Sequence, residues 1–175
     1  IASAQETINL YVEKNTNAQA PSQTTYYQTP GSTIFGTPDV LDNSRCCYRT
    51  TLGTSYEVVG TRIYAVQTNG AMVFIGAIPD RASQVIMSDN GLIVILVDGV
   101  EGWAINMADN SFTQIIDPAF YGADYVLFLD TFFVFNRPRT NQFYISLSMI
   151  DYAAIVAMTA FDPLDIAAKS GSADP

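Results

Sequence analysis

Between Val58 and Ser146 the chain writes one pattern three times: apolar run, tight turn, apolar run, polar tip, apolar run. The copies run from Tyr56 to Gly76, from Val85 to Met107 and from Tyr125 to Leu147. Aligned on Gly60-Thr61, Asn90-Gly91 and Asp130-Thr131, they stand about 30 and then about 40 residues apart. A unit of this size, built of short strands, cannot bury its apolar residues alone. It points to an all-β fold of β-propeller-like blades of short antiparallel strands.

The turns carry the expectation residue by residue. Cys46 to Thr50 reads as a strand, and Tyr56 to Val59 pairs through Gly60-Thr61 with Arg62 to Gln67. Thr68-Asn69-Gly70 is the strongest hairpin signal, because Asn-Gly suits a type I′ turn. Asp89-Asn90-Gly91 and Asp98-Gly99 are tips of the same kind. Leu92 to Val97 is almost continuously apolar, as an inner strand covered on both faces should be. Trp103 lies on the next strand with Ile105 and Met107.

Residues 1–44 differ in texture and read as an extended N-terminal arm. Ile8, Leu10 and Val12 alternate with Asn9 and Tyr11 as a strand, and a polar stretch follows up to Gln28. Thr29-Pro30-Gly31 is a turn signal, since Pro30 fixes φ and Gly31 admits positive φ. Residues 45–147 then form the first blades. Residues 148–175 read as a connecting segment: Ala153 to Ala160 could support a short helix, but Phe161-Asp162-Pro163 resembles a loop leading to another unit. With no initiator Met and no closing element, the chain reads as a piece of a longer polypeptide.

Composition bounds the chemistry. The net charge is −9, with only eight Lys and Arg and no cluster of them. Phosphate binding draws on clustered cations, so direct nucleic-acid binding is not expected. No histidine is present, which removes the commonest general base and transition-metal ligand. Cys46 and Cys47 are neighbours that a strand would point to opposite faces. They read as reduced, partly buried small side chains in a protein matured in a reducing cytoplasm. No basic start with an apolar core marks a secretory signal, and the apolar run from Tyr152 to Phe161 is too short to cross a bilayer.

Each candidate site has a plainer competitor. Asp89, Asn90 and Asp98 could offer oxygens to calcium, but Asp and Asn are common tip residues that bond their own backbone. Asp124 and Asp130 could be imagined as a glycosidase pair, without any polar cluster to support them. Serine nucleophiles lack a base, and Lys14 and Lys169 sit in polar segments. Tyr125, Phe128, Phe132, Phe133, Phe135, Phe143 and Tyr144 could be a sugar platform, but aromatics at strand spacing more often pack as core. Arg137 and Arg139 read as a solvated tip or a bridge to an acidic neighbouring subunit. No catalytic, cofactor-binding or metal-binding residue is assigned, and no cofactor is implied.

The order of several weak motifs carries a resemblance. Ile8 to Val12, Tyr27 to Gly31, Gly60 to Tyr64, Ser88 to Gly91 and Asn141 to Ser146 follow one another as in the packaged-DNA stabilization proteins of short-tailed phages, also called tail accessory or tail hub proteins. The chain resembles their beginning, roughly from Glu6 to Asp165. The resemblance implies a virion protein, assembled in the host cytoplasm. It implies a homo-oligomeric ring, usually a hexamer, below the portal and head–tail adaptor that closes the channel with a tail needle or tip, beside tailspike or fibre proteins. Such a protein is not an enzyme, grips no specific DNA sequence and enters no membrane. A carbohydrate- or receptor-binding propeller module is the alternative from a different class, with aromatic rings expected at hairpin tips. A propeller hydrolase is a third, disfavoured by the missing histidine.

Overall fold

The computed structural model describes residues 10–17, 19, 22, 24–28 and 31–168. The expectations for Ile8, Pro30 and Lys169 fall outside these residues. The chain divides into two compact units, Ile1–Phe35 and Gly36–Pro175. In the first, β1 (Leu10–Lys14) and β2 (Thr24–Gln28) form an antiparallel hairpin. Tyr11 and Tyr27 are direct cross-strand partners, and their rings stack at 5.6 Å.

The second unit contains three four-stranded antiparallel sheets, each with its strands side by side in chain order. The first holds β3 (Ser44–Arg49), β4 (Ser55–Val59), β5 (Arg62–Val66) and β6 (Met72–Ala77). The second holds β7 (Ile86–Asp89), β8 (Ile93–Val97), β9 (Gly102–Asn106) and β10 (Phe112–Gln114). The third holds β11 (Val126–Leu129), β12 (Phe132–Asn136), β13 (Gln142–Ser146) and, after the one-turn helix α1 (Tyr152–Val156), β14 (Phe161–Ala168). The described residues are all-β apart from this helix, and none of their sheets closes into a barrel.

Alternation along the strands explains how the sheets meet. Side chains of successive residues point to opposite faces, so each strand serves two layers. Tyr56, Val58, Ile63 and Ala65 pack against Met87, Val94, Leu96, Trp103 and Ile105 of the second sheet. From the other face of that sheet, Ile93, Ile95, Val97 and Ala104 meet Val126, Phe133, Phe135 and Tyr144. Every residue of β8 is therefore buried, as the continuous apolar run from Leu92 to Val97 requires. Leu92 itself lies before the strand and is half exposed.

Three expectations are corrected. First, Gly60-Thr61 lies one strand later in its sheet than the two turns with which the sequence repeat aligns it. Gly60-Thr61 joins the second and third strands of its sheet, whereas Asn90-Gly91 and Asp130-Thr131 join first to second. Their true counterpart is the turn between β3 and β4, because Ser44–Arg49 supplies a first strand too polar to register as an apolar run. Second, the tip at Thr68 to Gly70 is not type I′. Gly70 has φ of 86° but Asn69 does not take positive φ. Gly70 N–H donates to Gln67 at 2.9 Å and Gln67 N–H to Ala71 at 2.8 Å, a three-residue loop with glycine in the left-handed position. Third, Phe161–Ala168 is a strand, not a loop. Pro163 is tolerated there because β14 is an edge strand and its pairing with β13 is interrupted between Phe161 and Ile166, so the missing N–H falls outside the regular ladder.

The short helix forms where the alanine run begins. Asp151 caps it, its side chain accepting from Ala154 N–H at 2.8 Å, and Ile155 is buried against the third sheet's aromatic layer.

Candidate functional site: the strand tips

The polar chemistry of the second unit concentrates where strands end. Asp89, the last residue of β7, is buried, yet its carboxylate is fully engaged. Tyr48 Oη donates to its Oδ2 at 2.8 Å, Thr51 N–H to the same oxygen at 3.0 Å, Thr51 Oγ1 to Oδ1 at 2.6 Å and Gly91 N–H to Oδ1 at 3.0 Å. Burial pushes the carboxyl upward, but the bonds from Thr51, Tyr48 and Gly91 outweigh it and hold it below the ordinary range. The phenol of Tyr48 is pushed up to about 12, by burial and then by this carboxylate.

Asp98 stands at the opposite end of β8. Its Oδ1 accepts from Val100 N–H at 3.1 Å and Glu101 N–H at 2.9 Å, and its Oδ2 from Arg81. Arg81 also reaches Glu101 Oε2 at 2.9 Å, and Gln114 Nε2 donates to the other Glu101 oxygen at 3.0 Å. Asp89 pairs with Val94, four residues before Asp98, which sets the two about 13 Å apart along the strand at about 3.3 Å per residue. They cannot share a cation, and their oxygens are occupied by donors from this chain.

Asp124 and Asp130 are divided in the same way by β11. Six residues of extended chain set them about 20 Å apart, beyond the roughly 5–9.5 Å that paired glycosidase carboxyls need. Asp124 is held by Asn136, whose Nδ2 donates to it at 2.9 Å and whose Oδ1 accepts from Asp124 N–H at 2.9 Å. Among the described residues no group of three or more His, Cys, Asp or Glu side chains gathers in metal-binding reach.

The aromatic set divides by strand parity. Phe133, Phe135 and Tyr144 are buried, with Phe135 and Tyr144 stacked at 5.1 Å. Phe128 packs against them, whereas Phe143 and Tyr125 are exposed. Tyr144 Oη donates to Gly122 O at 2.8 Å. Arg137 lies 4.6 Å above the Tyr121 ring and donates to Gln142 Oε1 at 2.8 Å, so it is engaged within its own chain. Both cysteines are free thiols: burial pushes Cys46 up to about 11, while Cys47 is exposed.

A groove of about 500 Å³ in the second unit is lined by Leu52, Leu92, Met107, Asp151 and Tyr152 among others. Its polar groups are committed elsewhere: Asp151 caps α1, and Asn106 Oδ1 accepts from Ala108 N–H at 3.1 Å. Two polar features had no signal in the sequence. Arg45 crosses from β3 to donate to the carbonyls of Ser83, Gly60 and Pro79 at 2.9, 3.0 and 3.1 Å. Asp117 is buried with Oδ1 bonded to Ala119 N–H at 2.9 Å, while its Oδ2 meets no donor among the described residues. Arg45's partners are brought near only by folding, whereas Asp117's bond to Ala119 is local and it is the burial of the carboxyl that the sequence does not show.

Compared with known proteins, the chain matches no family model and no curated protein sequence.

Proposed function

We propose that the chain is a structural subunit of a phage tail. In this reading it is a hub or plug component, in a ring of copies below the portal and head–tail adaptor, that closes the channel and retains packaged DNA. Its three sheets are read as successive blades of a propeller-like stack, with the N-terminal hairpin as an arm toward neighbours.

The observation that carries this reading is the state of the tip carboxylates. Asp89 and Asp98 spend their lone pairs on donors of the same chain, binding sheets and turns together. Groups used in that way serve cohesion rather than turnover. The order of motifs, which resembles that of the tail hub family, supports a place in the virion, and the acidic balance agrees with closing an exit rather than gripping a phosphate backbone.

The test is genetic. Particles assembled without this protein should fill with DNA and then lose it, and adding the protein back before release should restore retained genome. Particles that keep their DNA without it would overturn the proposal.

A further inference from the structure

Three strand tips place a carboxamide or carboxylate directly before a glycine: Asn69-Gly70, Asn90-Gly91 and Asp98-Gly99. Such a pair can react with itself. The glycine nitrogen can close a five-membered ring on the preceding side-chain carbonyl carbon, and with no Cβ beside it little blocks the approach. Whether the ring forms in the folded chain depends on how firmly the tip is held.

Two of the three tips are held. Asn90 is half-buried, and its Oδ1 accepts from Leu92 N–H at 3.0 Å and from Ile93 N–H at 2.9 Å. Its Nδ2 donates to Ile150 O at 2.8 Å, and Gly91 N–H donates to the buried Asp89 at 3.0 Å. Asp98 is buried with both oxygens engaged, and Gly99 N–H donates to Ala123 O at 2.8 Å. Ring closure at either tip has to break bonds to segments far away in sequence.

Asn69 is held only by its own loop. It is exposed, its Oδ1 accepts from Ala71 N–H at 3.0 Å, and its Nδ2 meets no partner among the described residues. Gly70 N–H donates to Gln67 O at 2.9 Å, three residues back. Gly70 is covered, with Gly36 passing close to its carbonyl. The attack is intramolecular, however, and needs only this short loop to open. Exposed loop tips open at the lowest cost of any part of a fold.

We propose that Asn69 is a modification site, at which the folded chain converts asparagine to aspartate and isoaspartate without an enzyme. The Gly70 nitrogen attacks Cγ of Asn69. The N–Cγ bond forms, the Cγ–Nδ2 bond breaks, and the proton from the Gly70 nitrogen leaves with ammonia. Water then opens the succinimide: addition at Cγ gives aspartate, and addition at the backbone carbonyl gives isoaspartate. Either product adds a negative charge to a chain that already carries −9. Isoaspartate also inserts a methylene into a loop closed by the Gln67 N–H to Ala71 O bond at 2.8 Å, which loosens the end of the β5–β6 hairpin. The reaction depends on this tip alone, and it holds or fails independently of the place in a tail proposed above.

The experiment follows the whole chain over time in warm, mildly alkaline buffer, folded and in guanidinium chloride, by tryptic digestion and fragmentation mass spectrometry. Asn69 is the single asparagine between Arg62 and Arg81, so its peptide reports it alone. An isoaspartyl methyltransferase labels the branched product, and Asn69→Gln is the control that should stay unlabelled in this peptide. In denaturant the two Asn-Gly pairs should convert at comparable rates. In the folded chain Asn69 should convert at least about tenfold faster than Asn90, a barrier difference of about 1.4 kcal/mol. A smaller ratio would overturn the proposal, as would an Asn69 that survives folded while the denatured chain converts. Aspartate formed without isoaspartate would overturn it too, since a succinimide yields both.

Discussion

Tyr48 donates its phenolic hydrogen to Asp89 at 2.8 Å, fastening the first sheet to the tip of the second across 41 residues of sequence. The bond ends on a buried carboxylate that three further donors complete. Removing one donor leaves that charge less well solvated by the protein. Tyr48→Phe is expected to cost about 1.5 kcal/mol, the usual value for a hydrogen bond to a charged group. Asp89→Ala, which strands four donors, should cost about 3 kcal/mol. Urea unfolding followed by Trp103 fluorescence measures both, and a loss below about 0.5 kcal/mol for Asp89→Ala would remove the tie from the account.

The same carboxylate makes stability depend on pH. Its folded pKa lies below the ordinary 3.8, so the unfolded chain takes up its proton first as pH falls. The stabilisation is therefore complete above about pH 5 and is lost as pH drops through the unfolded and then the folded value. Urea midpoints for the unaltered chain should fall between pH 5 and pH 3 more steeply than for Asp89→Asn. Parallel curves would show that Asp89 gains nothing from its partners.

Gly102 is needed for packing. A Cβ there would overlap the ring of Phe120, which itself meets Phe135 at 5.5 Å and Phe161 at 5.4 Å. Gly102→Ala is expected to destabilise by about 1–3 kcal/mol through overpacking. Combined with Phe120→Leu the two costs should fall short of additive, since the smaller side chain makes room. Strict additivity in a double-mutant cycle would contradict the contact.

Thr131 occupies a turn it does not suit. With Asp130 at φ of 47° and Thr131 at 75°, both tip residues are left-handed, and a β-branched side chain is disfavoured there. Its hydroxyl meets Ser148 Oγ at 2.8 Å, and its carbonyl accepts from Met149 N–H at 2.7 Å. Asp-Gly is the favoured pair for such a turn. Thr131→Gly should therefore raise stability by up to about 1 kcal/mol, read as a higher melting temperature; a lower one would show that the Ser148 contact outweighs the strain.

Local chemistry made much of the architecture legible. Asn90-Gly91 and Asp130-Thr131 marked two-strand tips, and the unbroken run before Asp98 marked the strand buried on both faces. What escaped was set by context. Ser44–Arg49 has few apolar residues because much of its surface faces solvent, so a repeat read from apolar runs starts one strand late. Phe161–Ala168 pairs with β13 although Pro163 reads as a breaker, because an edge strand tolerates it. The donors around Asp89 could not be anticipated, since Tyr48 and Thr51 meet it only once two sheets have stacked. Tip residues that looked available for ligands are thereby shown to be holding the sheets.

Whether these stacked sheets are a structural block of a phage tail, as proposed, is decided by imaging the native particle. Electron cryo-microscopy should show a ring of copies beneath the portal, six by the family resemblance, each fitting three four-stranded sheets in the order described. Particles whose tails contain no such density, or a ring whose subunits are helical over residues 56–146, would contradict it.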